Sequence, residues 1–330
     1  MSMPKCVALG RWPKSTLTAR SQVAHQSWKA SRDMSAELES WGFAEGDEIA
    51  PRRRAVSLLG GGYRYEAWLA WDERIRSLVV AKVIRPDQTE DAVARRTLAR
   101  EAAMLDRLAH PLLVRSFGSD AVGPRPHLVL EFVEGPRLST LIRRFGLILE
   151  QAVPLALNLC SVLHYLAEED VVHLDVKPRN IIMAGSPRLI DLSVARAVDE
   201  LGSLGGPIGT DAYMAPEQCD PDRRAEIGPP ADVWGLGVTV HEAFAGELPY
   251  PRPSRDVPHP QLAHPPRITE GVPPKLRPLL LSCLEPRPAD RPRAGELGDA
   301  LEPFVAALPA PKIGRFRPGA QQLMERLEAS

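Results

Sequence analysis

The chain has little of what marks a disulfide-stapled, zinc-bound, membrane-spanning or nucleic-acid-coating protein. Four cysteines serve 330 residues, at positions 6, 160, 219 and 283, and none forms a C-x-x-C pair. That spacing argues against a disulfide framework or a zinc site and predicts free thiols in a reducing compartment. No charge of one sign dominates either: the formal net charge is −1, which provides no bulk surface for nucleic acid or anionic lipid. Long apolar runs are missing as well. The run 6–9 is too brief for the core of a signal peptide. The most apolar segment, 148–167, carries Glu150, Gln151, Asn158 and His164, as a buried amphipathic helix does and a membrane span does not. These absences predict a cytoplasmic protein with no membrane span and no nucleic-acid partner. No internal repeat or low-complexity array is present.

What is there is ordinary for a soluble globular chain: 44% hydrophobic and 25% charged residues, with ample length for a core. The chain has thirty-three prolines, and their clustering at 249–292 predicts a loop-rich region there. Residues 1–50 are polar and lack a sustained period, with Trp12, Trp28 and Trp41 scattered through them. They read as a flexible extension with one short helix over 30–39. From Val56 the pattern sharpens. Strands are predicted at 57–59, 63–72 and 78–84, the first two joined across Gly60-Gly61-Gly62. A helix over 91–108 repeats apolar Ala94, Leu98, Met104, Leu105 and Leu108, and strands at 112–117 and 127–132 follow. After Gly135-Pro136 the pattern turns helical: 138–145, 149–169, 231–245, 274–283 and 294–307, with a last short helix over 319–327. Residues 191–216 form a long irregular stretch, which inside a compact domain is usually functional.

One stretch carries more polar chemistry than a core segment can hold. Val171 and Val172 read as a short buried strand, and His173, Asp175, Lys177, Pro178, Arg179 and Asn180 follow at once. Each polar group would need a partner if buried, whereas a catalytic loop has use for a carboxylate, an ammonium and an amide at this spacing. Other signals are weak singly. Gly60 to Gly62 fit a plain hairpin turn, Lys82 fits a lysine reaching water from a strand end, and Glu101 fits a surface carboxylate on a charged helix.

Their order is the stronger signal. Gly60-Gly61-Gly62, Lys82, Glu101, His173-Leu174-Asp175, Asn180, Asp191-Leu192-Ser193, Gly209-Thr210 and Ala215-Pro216-Glu217 follow one another in register. So arranged, residues 56–303 resemble the serine/threonine protein kinases of the eukaryotic-like, bacterial type. The resemblance implies an α+β, bilobal fold: a five-stranded antiparallel small lobe with one helix over 55–134 and a mainly helical large lobe over 135–303. The kinase domain would run over 51–303, between the extension 1–50 and a tail 304–330. It further implies ATP with Mg2+ or Mn2+, and protein Ser or Thr hydroxyls as acceptors, those of the chain itself among them.

The resemblance also assigns roles. Gly60, Gly61 and Gly62 would let backbone N–H groups approach phosphate oxygens. Lys82 would hold the α- and β-phosphates, oriented by Glu101. Ala67 and Val80 would roof the adenine with their two volumes exchanged relative to the family pattern. Beyond the gatekeeper Leu130, Glu131 and Val133 would offer backbone bonds to the base. Asp175 would be the catalytic base, Lys177 would steady the transferred phosphoryl group, and Asn180 and Asp191 would ligate the metal. Thr210 would bond Asp175 and Lys177, while His173 and Asp232 would hold the catalytic loop. Glu217 would pair with Arg291, a buried structural contact.

Four departures stand out. Tyr65 occupies the third glycine position, which costs about 1–2 kcal/mol if φ there must be positive, and it would bring a large ring near the phosphates. Leu174 replaces the arginine that clamps a phosphorylated activation loop, which implies activity without loop phosphorylation, with Arg188 as a partial substitute. Ser193 replaces a glycine and Asp211 a proline. Tyr65, Leu174 and Ser193 motivate an alternative reading as a pseudokinase, a nucleotide-binding scaffold or sensor. Lys82, Glu101, Asp175, Asn180 and Asp191, all present, argue against it. A small-molecule kinase on the same fold is the third reading, and the substrate loop and Ala-Pro-Glu anchor over 209–217, which such enzymes lack, speak against that.

Overall fold

Alternating side chains build the first half of the molecule into a sheet. In this computed structural model, which describes residues 38–309, β1 (Glu48–Ala50), β2 (Arg53–Gly61), β3 (Tyr65–Asp72), β4 (Ser77–Ile84), β5 (Ser116–Asp120) and β6 (His127–Glu131) form one antiparallel sheet. Its order is β1-β2-β3-β4-β6-β5. The helix expected over 30–39 falls almost wholly outside the described residues, as do that at 319–327, Trp12, Trp28 and Cys6. On β3, Glu66, Trp68, Ala70 and Asp72 are buried on one face, while Tyr65, Ala67 and Leu69 on the other are partly covered, the period of two of a pleated strand.

The first face packs Ala55, Trp68, Ala70, Val79, Ala81, Val83 and Val129 under Ile49 of β1 and the rings of Trp41 and Phe43. Phe43 meets Trp68 edge to face with centroids 5.2 Å apart, and the Trp41 indole donates to Ile84 O at 2.8 Å. Residues 40–50, read from the sequence as part of an extension, thus add a sixth strand and two rings to the sheet. Helix α1 (Ala92–Arg107) packs on the opposite face through Ala94, Leu98, Met104 and Leu105. The Asp91 carboxylate caps it, accepting from Val93 N at 2.7 Å, a contact worth about 1 kcal/mol. The strand expected at 112–117 begins only at Ser116. Leu112, Leu113 and Val114 are instead buried in succession, with Leu113 bridging Leu189.

The second half is helical: α2 (Leu138–Arg144), α3 (Leu149–Glu168), α4 (Pro216–Cys219), α5 (Pro229–Ala245), α6 (Arg277–Cys283) and α7 (Ala294–Ala306). Short strands β7 (Val171–Val172), β8 (Ile181–Met183), β9 (Pro187–Leu189) and β10 (Arg196–Ala197) lie between α3 and α4. Helix α5 is apolar nearly all round and is buried from Ala231 to His241, as such a helix must be. Pro229 opens it, and Gly246, at φ 72°, stops it. It packs against α3, α6 and β7, so it lies directly beneath the polar loop that follows β7. One apolar core runs from Ile84 and Leu128 of the sheet to Leu155 and Leu236 of the helices. Cys160, Cys219 and Cys283 are free and buried. No described helix is long and apolar enough to cross a membrane.

Candidate active site

The β4 ladder sets Lys82 opposite Ala67 on β3 and Leu128 on β6. Its side chain therefore shares the inner face with Tyr65, Ala67, Val80 and Leu130. Helix α1 presents Glu101, 1% exposed, to that face. The Lys82 ammonium lies 2.7 Å from Glu101 Oε2 and 3.0 Å from Asp191 Oδ1. Burial disfavours this ammonium, but the two carboxylates outweigh it and hold Lys82 above the usual lysine range. Burial likewise opposes the Asp191 charge, and Lys82 reverses the balance, holding Asp191 well below the usual carboxylate range. Glu101 goes the other way: burial pushes it up, with Lys82 offsetting part of the shift. The result is a fixed cation beside an ionised carboxylate at the seam between sheet and helices.

Tyr65 lies beside Lys82, the residue assigned to the phosphates. Its φ is not positive, so the third glycine position carries no left-handed strain. The ring turns inward under Lys82, whose Nζ stands 5.0 Å from its centroid, and the hydroxyl donates to Ala94 O in the first turn of α1 at 2.9 Å. It therefore ties the glycine hairpin to the helix that carries Glu101. Above it, Gly62 N–H closes the hairpin on Tyr65 O at 2.9 Å, and Gly60 adopts φ 140°. Ala67 and Val80 lie half-buried beside Lys82.

The loop after β7 is held from below. Asp232 at the start of α5 accepts from His173 N and Leu174 N, each at 2.7 Å, and burial pushes this carboxyl up to about 6. His173 Nδ1 accepts from Asp175 N at 3.3 Å; the imidazole braces the backbone. Leu174 sits at φ 65° and Asp191 at φ 70°, left-handed conformations that cost a non-glycine residue about 1–2 kcal/mol. Leu174 is fixed in it by Asp232 on its N–H and by Gln218 Nε2 on its carbonyl at 3.0 Å.

On this frame the Asp175 carboxylate collects three donors. Thr210 Oγ1 donates to Oδ1 at 2.7 Å, and Lys177 Nζ and Asn180 Nδ2 donate to Oδ2 at 2.6 and 3.0 Å. Lys177 also reaches Thr210 Oγ1 at 2.5 Å. Asn180 spends its amide hydrogens on Asp175, which leaves its carbonyl oxygen as a ligand atom. Among the described residues no cluster of three or more His, Cys, Asp or Glu is arranged for a metal. A cation here would take one carboxylate and one amide from the protein and its other oxygens from phosphate and water, which suits Mg2+. Asp191, ionised, and Asn180 fit that demand.

The other predicted residues sort plainly. Leu192 is fully buried, and Ser193 has no positive φ, so serine there bears no strain. Leu130 and Val133 are buried at the exit from the sheet. The Glu131 side chain faces Arg115 at 3.2 Å and Arg188 at 3.7 Å, leaving only its backbone for a base. Arg188, expected as a partial substitute for the arginine that Leu174 replaces, has Glu131 as its partner here. Leu174 is buried in an apolar cluster with Leu201, Ala215, Ile227, Trp234 and Tyr250, the first of these from the irregular segment. Glu217 and Arg291, both fully buried, form a bidentate pair at 2.7 and 2.9 Å, and Arg291 also donates to Pro230 O and Glu285 O.

Two residues escaped the sequence reading. Gln218 Nε2 ties Leu174 O to Ile208 O at 3.0 and 2.8 Å, joining the loop after β7 to the segment before Thr210. Gln261, 2% exposed, donates to Asp211 O and Met214 O at 2.8 and 2.9 Å. For Gln218 the signal was available as a helix start, with Pro216 at the first position and Gln218 accepting from Ala215 N at 2.9 Å; Gln261, in a proline-rich loop, offers none.

Comparison with known proteins agrees with this geometry. The protein kinase domain family matches residues 54–300. The serine/threonine-protein kinase PknB of Mycobacterium leprae is 30% identical over 212 residues, 61% of this chain and 34% of that protein. The probable serine/threonine-protein kinase PkwA of Thermomonospora curvata is 33% identical over 248 residues, 74% of this chain and 33% of that protein. The serine/threonine-protein kinase PknA of Mycobacterium tuberculosis is 29% identical over 293 residues, 84% of this chain and 65% of that protein. The chain thus spans about a third of the length of the first two relatives. Because the family match runs from β2 into α7, across the sheet, the seam and the helices, this chain belongs to the protein kinase family.

Proposed function

We propose that the chain is an ATP-dependent serine/threonine protein kinase, working with Mg2+ or Mn2+ in the cytoplasm on protein hydroxyls, its own included. The observation that carries this reading is the set of hydrogen bonds among Thr210, Asp175, Lys177 and Asn180, beside the Lys82–Asp191 contact at 3.0 Å. A carboxylate already surrounded by oriented donors is suited to align a substrate hydroxyl and take its proton, which contributes on the order of 10²–10⁴ in rate. Lys177 stands next to that carboxylate as the cation for the transferred group. Lys82, fixed by Glu101, serves the nucleotide phosphates; Gly60, Gly61 and Gly62 approach them from the hairpin. Ala67, Val80 and the backbone of Glu131 and Val133 hold the base, and Asn180 and Asp191 take the metal. Bound Mg2+–ATP supplies the phosphoryl group and offsets its charge.

Leu174 supports a further element of the reading: activity that needs no phosphate on the activation segment. An arginine in the family pattern waits there for a phosphate, whereas this leucine shares an apolar cluster with Leu201 of that segment. The test is a nucleotide thermal shift with and without Mg2+, joined to a radiolabel transfer assay on Ser and Thr peptides. Metal-dependent binding with transfer is expected. Binding without transfer to any protein or peptide would replace the enzyme with a nucleotide-binding scaffold.

A further inference from the structure

On the Asn180 flank of the site the Arg137 guanidinium reaches the backbone of Arg179, and among the described residues no carboxylate is paired to either arginine. Arg137 precedes α2 in a segment pressed against β8: Met183 N–H bonds Pro136 O at 2.9 Å, and Arg137 bridges Ile182. At Gly135 an added Cβ would stand 2.4 Å from Met183 O, so the approach is as close as glycine allows. From this rigid footing Arg137 Nη1 donates to Arg179 O at 2.5 Å. Arg179 directly precedes Asn180, whose amide is 3.0 Å from the Asp175 carboxylate. Both arginines are exposed, and among the described residues neither takes part in an ion pair. Partial burial and the Arg179 charge draw Arg137 below the usual arginine range, with Asp191 drawing it back. An additional anion would relieve that repulsion.

We infer that Arg137 and Arg179 are specificity residues that select a Ser or Thr with a carboxylate side chain nearby in the substrate peptide; the inference rests on the protein kinase reading above. A nucleotide phosphate is the poorer occupant. Lys82 serves it from the sheet, whereas Arg137 and Arg179 belong to the helical half and are exposed where a peptide must lie to bring its hydroxyl to Asp175. Charge pairs at an accessible rim act on encounter and binding more than on the chemical step, so the effect belongs in the peptide KM.

The test uses the full chain and three peptides that share one acceptor serine and differ in their neighbours on both sides, Asp, Ala or Lys. Wild type is expected to favour the Asp over the Lys peptide about tenfold in kcat/KM, through KM, and the preference should shrink as salt rises. Arg137→Glu with Arg179→Glu should cancel or invert it, and Arg137→Lys with Arg179→Lys should keep most of it. Equal kcat/KM for all three peptides in wild type would overturn the inference. So would a charge-reversed variant that loses the same factor on every peptide, or one whose changed KM is that for ATP. Transfer to none of the peptides, the Ala peptide included, would instead overturn the kinase reading and this inference with it.

Discussion

Gly209→Ala tests how tightly the substrate loop is fitted to the catalytic loop. Gly209 adopts φ 120°, and a Cβ there would lie 2.6 Å from Leu174 O, 3.0 Å from Met214 Cγ and 3.2 Å from Gln218 Nε2. The Leu174 carbonyl has little room to retreat, since Gln218 holds it at 3.0 Å and Asp232 holds the same residue's N–H at 2.7 Å. Reaching ordinary contact at 3.4 Å therefore asks residue 209 to move by roughly 0.8 Å. The unfavourable φ adds about 1–3 kcal/mol of pressure in the same direction. Thr210, the next residue, is displaced with it, and its 2.7 Å bond to Asp175 is lost. A misplacement of about 1 Å near reacting atoms costs up to about 10²-fold in rate. The expected result is a kcat reduced about 10- to 100-fold with the KM for ATP unchanged, because Lys82, Glu101 and Asp191 are untouched. Steady-state peptide phosphorylation measures both, and a melting curve checks that the variant is folded. A folded variant with wild-type kcat would refute the coupling of Gly209 to Asp175 through Thr210.

Three other outcomes follow from the same geometry. Arg291→Ala leaves the Glu217 carboxylate buried without its partner, which should cost about 3–5 kcal/mol and lower Tm by roughly 10 °C; an unchanged Tm would contradict the structural role. Tyr65→Phe removes the hydroxyl bond to Ala94 O, about 1 kcal/mol, and hydrogen exchange in the first turn of α1 should quicken while the rest of the helix holds. Exchange there as slow as in wild type would mean that Tyr65 does not anchor the helix. Ser203 is the one hydroxyl residue between Ser193 and Thr210, so Ser203→Ala should keep wild-type activity. A loss reversed by Ser203→Asp would mean that the activation segment waits for a phosphate after all.

How much of this was legible beforehand depends on the kind of residue. Lys82, Glu101, Asp175, Asn180 and Asp191 could be read because few residue types do such chemistry and their order along the chain is restrictive. In the structure Lys82 touches both Glu101 and Asp191, and Asn180 bonds Asp175. The strands and helices were legible from their periods, and their boundaries less so: Leu112 to Val114 look like a strand because three apolar residues in a row have no period of their own. Trp41 and Phe43 were illegible for a related reason. Two isolated rings carry no repeat, and only the Trp68 face of the sheet gives them a place to pack. That the Tyr65 hydroxyl reaches Ala94 O of α1 is decided by backbone register, which no local pattern reveals. Gln261 and Arg137 are long polar side chains whose partners lie on other segments, so no local pattern announces them; for Gln218 the helix start marks the Ala215 contact but not the bonds to Leu174 O and Ile208 O.

The account rests on the Asp175 carboxylate as the group that receives the substrate proton. Radiolabel transfer from ATP, to the chain itself and to a Ser/Thr peptide, by wild type beside Asp175→Asn tests it most directly. Asparagine keeps the size and most of the hydrogen bonding while removing the base. The account predicts a signal in wild type and a fall on the order of 10²–10⁴ in the variant, with nucleotide binding retained through Lys82 and Asp191. Equal incorporation in the two proteins would contradict it.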